Sequence, residues 1–148
     1  MIEGLLLLHL GATLALVGLI WTVQISLYPL FARVSAAEFG AYHRHHSRSI
    51  TVLVGPLMAA ELATGILLAV WPPPDIGHGP FVGGLVLVGL VWTSTALLQV
   101  PAHDMLGSGF SSVAHRRLVA TNWLRTGLWS TRGVLLLGVT GELLRSTP

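Results

Sequence analysis

Four long apolar stretches run along the chain, and each is interrupted by only a few polar residues. They cover approximately residues 4–31, 36–71, 81–102 and 112–145. About 20 apolar residues are enough for an α-helix to cross a bilayer. The connections between the stretches are short, and one of them contains three consecutive prolines, which cannot continue a helix. The pattern therefore predicts an all-α integral membrane protein, a single domain of residues 1–148 folded as an antiparallel four-helix bundle.

The composition strengthens this interpretation. Hydrophobic residues make up 53% of the chain and charged residues only 9%, against about 25% charged residues in a typical soluble domain. The mean hydropathy is +0.74. There is no cysteine, which excludes disulfides and thiolate metal sites. The first apolar run follows no basic residues and is too long for a signal peptide, so it is predicted to be a retained membrane helix.

The basic residues predict the orientation in the membrane. All eight are arginines, and five lie near the side where the first predicted helix ends, whereas Arg145 lies near the opposite side. The five are Arg33, Arg44, Arg48, Arg116 and Arg117. By the positive-inside rule, this arginine-rich side is cytoplasmic and both termini are extracytoplasmic, in an inner or plasma membrane. The arginines form no continuous basic stripe, so we expect contacts with membrane lipids and none with nucleic acid.

Polar residues recur at helical spacing on every predicted helix, and they gather toward the arginine-rich side. The stripes contain Trp21, Gln24 and Tyr28; His43 and His46; Trp92, Thr95, Gln99 and His103; and His115, Asn122, Arg125 and Trp129. Residues three, four or seven apart share one face of a helix. Hydrocarbon offers these groups no partners except one another. We therefore expect the stripes to face a common pocket.

Two charged residues are predicted to lie much deeper. Glu61 is about 15 Å, and Arg132 about 18 Å, from the side opposite the arginine-rich one. An unpaired charge at that depth costs roughly 3 kcal/mol or more. The two are therefore expected to pair, directly or through a ligand, and His9 could join them. Besides a structural pair, Glu61 could be a proton relay, a metal ligand or a substrate anchor.

The histidines suggest a metal or haem site. His43 and His46 lie at i and i+3 and could bind one ion, with His103 and His115 completing its shell. Histidine ligands without a thiolate suit iron, copper or zinc, and two of the histidines could instead hold haem b. The competing interpretation is a helix start at the membrane interface, with histidines contacting headgroups, and for His45 it is the favoured one.

The remaining polar residues receive provisional roles around that site. Glu61 would handle protons, while Arg125 and Asn122 would orient the substrate or cofactor. Asn122 could instead bridge helices, and the arginines could serve only in ion pairs. The residues expected to line the pocket or bind the cofactor are Gln24, Tyr28, Gln99, Trp129 and Arg132.

Two short motifs resemble those of a known family. YPLF (Tyr28–Phe31) closes the first predicted helix, and TNWLRT (Thr121–Thr126) lies early in the last one. Together with the four-helix layout, they resemble the anthrone-oxygenase-like family of small integral membrane proteins. The resemblance implies oxidation of anthrone-type polyketides to anthraquinones by molecular oxygen. It also implies recurring Asn and Arg residues, which match Asn122 and Arg125. A looser likeness is to the four-helix, haem-binding membrane protoporphyrinogen oxidase, which has a histidine early in its first helix, as His9 is here.

Three classes of function follow from these patterns. The leading prediction is a small membrane oxidoreductase with a histidine-rich metal or haem site, acting on a lipophilic, aromatic substrate. The second is a non-catalytic subunit, assembly factor or binding protein of a membrane complex. The third is a proton or metal-ion transporter, which four helices could form only as an oligomer or around a central cavity. A homo-oligomer is therefore left open.

Overall fold

A computed structural model describes residues 2–146 and, for side chains, residues 2–145. The described residues are mostly helical, form no strand, and fall into four helical segments joined by short connections. Segment 1 contains α1 (Ile2–Thr22), a π-helix (Val23–Leu27), α2 (Tyr28–Leu30) and a 3-10 turn (Phe31–Arg33). Segment 2 is α3 (Ala36–Val70), and segment 4 is α6 (Ser112–Ser146). Segment 3 contains α4 (Gly79–Ser94), a π-helix (Thr95–Gln99) and α5 (Val100–Gly107). The all-α prediction with four helices is confirmed, and the third helical segment continues to Gly107, beyond its predicted end at residue 102.

Three of the described segments are long and apolar enough to cross a membrane. These are Ile2–Arg33, Ala36–Val70 and Gly79–Gly107, whose most apolar stretches have mean hydropathies of 2.0, 1.9 and 2.0. Segment 4 does not reach that level, because Arg125, Arg132 and many small polar residues lie along it. A fourth membrane span thus stays a prediction.

Both π-helices lie just ahead of a proline. Val23–Leu27 precedes Pro29, and Thr95–Gln99 precedes Pro101. A proline ring clashes with the carbonyl group four residues earlier, and a π-helical turn widens the helix where that clash would occur. Pro56, in contrast, lies inside the continuous helix α3. The widened turns fall where segments 1 and 3 contribute Gln24 and Gln99 to the interior.

The buried side chains form two apolar clusters with a polar layer between them. One cluster includes Leu16, Met58, Val91 and Trp129, and the other is Leu6, Leu68, Phe81, Leu136 and Val139. On each segment, one set of residues with buried polar contacts falls between these clusters along the sequence. They are His9 and Thr13 on segment 1, Glu61 and Thr64 on segment 2, Gly84 on segment 3 and Arg132 on segment 4.

Candidate functional site

Glu61 and Arg132 form a buried ion pair at the centre of the polar layer. The Nε of Arg132 donates to Oε1 of Glu61 across 2.8 Å, and each side chain is only 1% exposed. The hydroxyl group of Thr13 donates to the same oxygen at 2.9 Å. The indole Nε1 of Trp129 donates to Oε2 at 3.1 Å. The predicted pairing is therefore confirmed, and three donors from two segments surround the carboxylate.

The rest of the Arg132 guanidinium is also occupied. Its Nη1 donates to the carbonyl oxygen of Gly84, and its Nη2 lies 2.7 Å from Nε2 of His9. Arginine can only donate, so this His9 nitrogen is the acceptor and the ring proton is on Nδ1. Nδ1 in turn lies 2.6 Å from the hydroxyl oxygen of Thr64, which donates to the carbonyl oxygen of Ala60. His9 joins the pair, as the sequence predicted, as a neutral imidazole.

Two glycines make room for this network. A Cβ atom at position 84 would lie 2.9 Å from Nη1 of Arg132, and one at position 65 would lie 3.1 Å from the His9 ring. Gly65, Gly84, Thr13 and Thr64 are not among the site residues predicted from the sequence. Thr13 follows His9 by one helical turn and Thr64 follows Glu61 by three residues, so helical spacing could have found the threonines. No local pattern marks the glycines.

We call His9, Thr13, Glu61, Thr64, Trp129 and Arg132 the ion-pair cluster. Its members come from segments 1, 2 and 4, and through Gly84 it also holds segment 3. None of its side-chain polar atoms is a buried atom without a hydrogen-bond partner. The cluster therefore links the four segments through buried hydrogen bonds and one ion pair. Proton handling by Glu61 and cofactor binding by Trp129 and Arg132 stay predictions.

A second polar group gathers where segments 1, 2 and 3 approach the arginine-rich side. Nε2 of His43 lies 3.0 Å from Nδ1 of His103, and Nε2 of His103 lies 3.0 Å from the hydroxyl oxygen of Tyr28. The ring of His46 is nearly parallel to that of His103, with centroids 6.2 Å apart. We call Tyr28, His43, His46 and His103 the histidine cluster. Its two hydrogen bonds form a continuous chain from Tyr28 through His103 to His43.

The predicted four-histidine metal shell is not assembled in this arrangement. Nε2 of His115 donates to the carbonyl oxygen of Tyr28 at 2.7 Å, which makes His115 a link between segments 1 and 4. Within residues 2–146, no group of three or more His, Cys, Asp or Glu side chains is placed to hold a metal ion. The facing nitrogens of His43 and His103 are too close for a haem iron between them, because two opposed bonds of about 2 Å need about 4 Å. His45 is exposed, in keeping with its expected surface role.

The buried amides link neighbouring segments. Asn122 donates from Nδ2 to Oε1 of Gln24 at 2.8 Å, and Gln24 donates to the carbonyl oxygen of Val119 at 3.2 Å. Gln99 donates to the hydroxyl oxygen of Thr121 at 3.2 Å. The helix-bridging alternative for Asn122 is thereby confirmed. Gln24, which was expected to line the pocket, links segments 1 and 4. Gln99 links segments 3 and 4 and also lines the groove described next.

An apolar groove lies beside the histidine cluster and has a volume of about 380 Å³. Its walls come mostly from segments 1, 2 and 3, and include Ile20, Val23, Ile50, Val54 and Met58. Exposed lining residues such as Gly55, Trp92 and Val100 show that it opens on the outer surface of segments 2 and 3. The polar lining includes Tyr28, Gln99, His103 and Arg125. We call this cavity the lateral groove.

A second, polar cavity of about 340 Å³ adjoins the lateral groove. It is lined by His43, Arg44, Ser47, Arg48, His103 and Asp104, together with Gly107. Ser47, His103 and Asp104 line both cavities. The imidazole of His103 therefore stands between an apolar groove and an opening edged by charged residues. We call the second cavity the polar opening.

Comparisons with protein families, with curated proteins and with solved structures find no match to the chain. The site therefore has to be interpreted from its own geometry.

Replacing Glu61 by Gln is expected to destabilise the protein strongly. Arg132 would then be buried without a counter-charge, and breaking a buried pair by removing one partner costs about 3–5 kcal/mol. The free energy of unfolding in detergent would be compared between the wild type and Glu61→Gln. The exposed Glu142 offers the matched control, because Glu142→Gln should change stability by less than about 0.5 kcal/mol. Equal stability of both variants would remove the bracing role of the ion-pair cluster.

The close fit of Gly84 gives a second prediction. Gly84→Ala should destabilise the fold by about 1–3 kcal/mol, because the added methyl group meets the Arg132 guanidinium in a filled interior. Its neighbour Gly83 is exposed, with no atom within 4 Å of an added Cβ, so Gly83→Ala should be neutral or stabilising by up to about 1 kcal/mol. Thermal unfolding of the pair would measure the difference. A Gly84→Ala protein as stable as Gly83→Ala would contradict the described packing.

Proposed function

We propose that the protein is an integral membrane oxidoreductase that acts on a lipophilic aromatic substrate. The substrate enters the lateral groove sideways from the bilayer. The observation that carries this proposal is the groove itself, which opens on the apolar outer surface and has Tyr28, Gln99, His103 and Arg125 among its polar lining residues. Such a cavity, apolar with a few convergent polar groups, is typical of small-molecule sites.

The surface of the protein supports its placement in a membrane as a four-span antiparallel bundle. Large apolar side chains are exposed on all four segments, and Val134 and Leu137 of segment 4 are 71% and 52% exposed. A soluble protein rarely leaves so much apolar surface in contact with water. Contacts of segment 1 with segment 4 run in reverse order, from His9–Arg132 through Gln24–Asn122 to Tyr28–His115, which favours antiparallel neighbours.

The histidine cluster suits proton removal from such a substrate. In the reaction that the family resemblance implies, a ring methylene gives up two hydrogens to O₂. One oxygen atom becomes the ketone oxygen and the other leaves as water. Loss of the first proton produces an enolate, which is electron-rich enough to react with O₂. His103 lines the groove and would take that proton, directly or through the Tyr28 hydroxyl group, by general base catalysis.

The proton then has a route out of the groove. His103 can accept at Nε2 and release from Nδ1, because a neutral imidazole carries its proton on either nitrogen. Nδ1 faces Nε2 of His43, and His43 lines the polar opening. These steps use only groups of the chain. Among the described residues, no group of three or more His, Cys, Asp or Glu side chains is placed to hold iron, copper or zinc. None of the steps depends on a metal ion or on haem b.

Oxygen uptake would test the reaction. The purified protein, given an anthrone in detergent or liposomes, should consume O₂ and form the quinone. His103→Ala should lower the rate by about 10²–10⁴-fold, the usual range for loss of a general base, while exposed His45→Ala should leave it unchanged. Unfolding curves of both variants would show whether each is folded. Anthrone binding without oxygen uptake would favour the non-catalytic binding protein, and elemental analysis with an absorption spectrum would reveal a metal or haem.

The absence of cysteine allows a clean test of orientation. Single cysteines would replace the exposed residues Ser35, Asp75 and Ser108, which lie in the three connections. In intact cells, a membrane-impermeant maleimide should label Asp75→Cys but neither of the others, and all three should react after the membrane is opened. Labelling of Ser35→Cys and Ser108→Cys alone would place the termini in the cytoplasm.

A further inference from the structure

Arg125 is a buried cation without a counter-charge. Its side chain is 7% exposed, and the single ion pair among the described residues joins Arg132 to Glu61. The guanidinium has a 3.4 Å hydrogen bond to Oδ1 of Asn122 and lies 5.0 Å from the ring centroid of Trp129. It also interacts with the Tyr28 hydroxyl group. All three contacts are with neutral groups, so its positive charge is left uncompensated.

The unsatisfied polar atoms of the protein concentrate at the same place. In the described side chains, three buried nitrogen or oxygen atoms lack a hydrogen-bond partner: Nε of Arg125, Oγ of Ser47 and Nε2 of His46. Arg125 and Ser47 both line the lateral groove. His46 lies outside its lining, with its ring centroid 6.2 Å from that of the groove residue His103. Buried polar groups in native proteins are nearly always paired. A ligand in the groove is a natural source of the missing partners.

We propose that the lateral groove recognises the anionic oxygen of its lipophilic aromatic ligand, and that Arg125 is the residue that binds it. The inference rests on the proposed function for the aromatic character of the ligand. The negative oxygen, a phenolate, enolate or aromatic carboxylate, would accept a hydrogen bond from the guanidinium and neutralise its charge. The apolar walls formed by Ile20, Val54 and Met58 would surround the ring system.

The alternative source of a counter-charge within the groove is weaker. Asp104 also lines the cavity, but its side chain is exposed and forms no ion pair with Arg125. A charge-assisted hydrogen bond is about twice as strong as a neutral one, and it gains further strength away from water. An anionic ligand should therefore bind well ahead of a neutral ligand of the same shape.

The test uses two fluorescent probes of similar size, 9-anthracenecarboxylate and 9-anthracenemethanol. Their affinities for the full-length protein in detergent are measured at neutral pH by fluorescence anisotropy, each corrected for partitioning of the probe into protein-free micelles. The wild type should bind the carboxylate at least about tenfold more tightly than the alcohol. Arg125→Gln should lose this preference while keeping its affinity for the alcohol, and Arg125→Lys should retain part of it.

Arg117→Gln provides the matched control, because Arg117 lies on the same helix but is exposed; it should keep the full preference. Equal binding of both probes by the wild type would overturn the inference without reference to any variant. A carboxylate preference that survives in Arg125→Gln would also overturn it, since the anion would then be held elsewhere. Displacement of the carboxylate by phosphatidylglycerol, but not by phosphatidylcholine, would assign the site to lipid phosphate and overturn its aromatic assignment.

The outcomes separate this inference from the proposed function. Loss of the preference in Arg125→Gln, with no oxygen uptake by the wild type, would support the anion site and remove the oxidoreductase. Oxygen uptake with equal binding of the two probes would support the oxidoreductase and overturn the anion site. Binding of neither probe would overturn both the anion site and the lateral groove as a substrate site.

Discussion

The buried pair of Glu61 and Arg132 is the interaction on which the rest of the structure depends. Neither charge is tolerable alone in an apolar interior, and together they need further hydrogen bonds to offset the loss of hydration. Those bonds come from Thr13, Trp129 and the Gly84 carbonyl group, so satisfying one pair fixes the relative positions of all four segments. Apolar packing by itself would specify these positions far less sharply, because neighbouring aliphatic side chains can slide past one another at small cost.

The two interior arginines of segment 4 have different surroundings. Arg125 and Arg132 are seven residues apart, close to two helical turns, and therefore share a face. Arg132 has a carboxylate, a carbonyl group and an imidazole as partners, whereas Arg125 has only neutral contacts and an unsatisfied Nε. A fold that needed both arginines merely as braces would leave neither unsatisfied. The difference between their surroundings indicates a structural role for Arg132 and supports the proposed ligand-binding role of Arg125.

Much of this arrangement could be predicted from the sequence, and the rest could not for physical reasons. The helix bounds, the Glu61–Arg132 pair and the joining of His9 follow from hydropathy, helical rise and the cost of an isolated charge in hydrocarbon. The four-histidine shell is not assembled among the described residues, because spacing gives the face of a helix but not the rotamer. His115 donates from Nε2 to the carbonyl oxygen of Tyr28, so this nitrogen is not available as a metal ligand. The fit around Gly84 depends on a neighbouring segment, so it leaves no mark in the local sequence.

His103 lines both cavities, and this position suits one requirement of the proposed reaction, the removal of a proton from the groove. A reaction that removes a proton from a substrate in an apolar groove must also dispose of that proton, because a charged imidazolium beside an already buried Arg125 would be costly. His103 lies between the lateral groove and the polar opening, with Tyr28 on one nitrogen and His43 on the other. A proton accepted on the groove side can therefore leave on the other without the imidazole moving. In the proposed reaction, a relay at this boundary would let the proton leave without crossing the groove, whose apolar walls would strengthen the contact of Arg125 with an anionic oxygen.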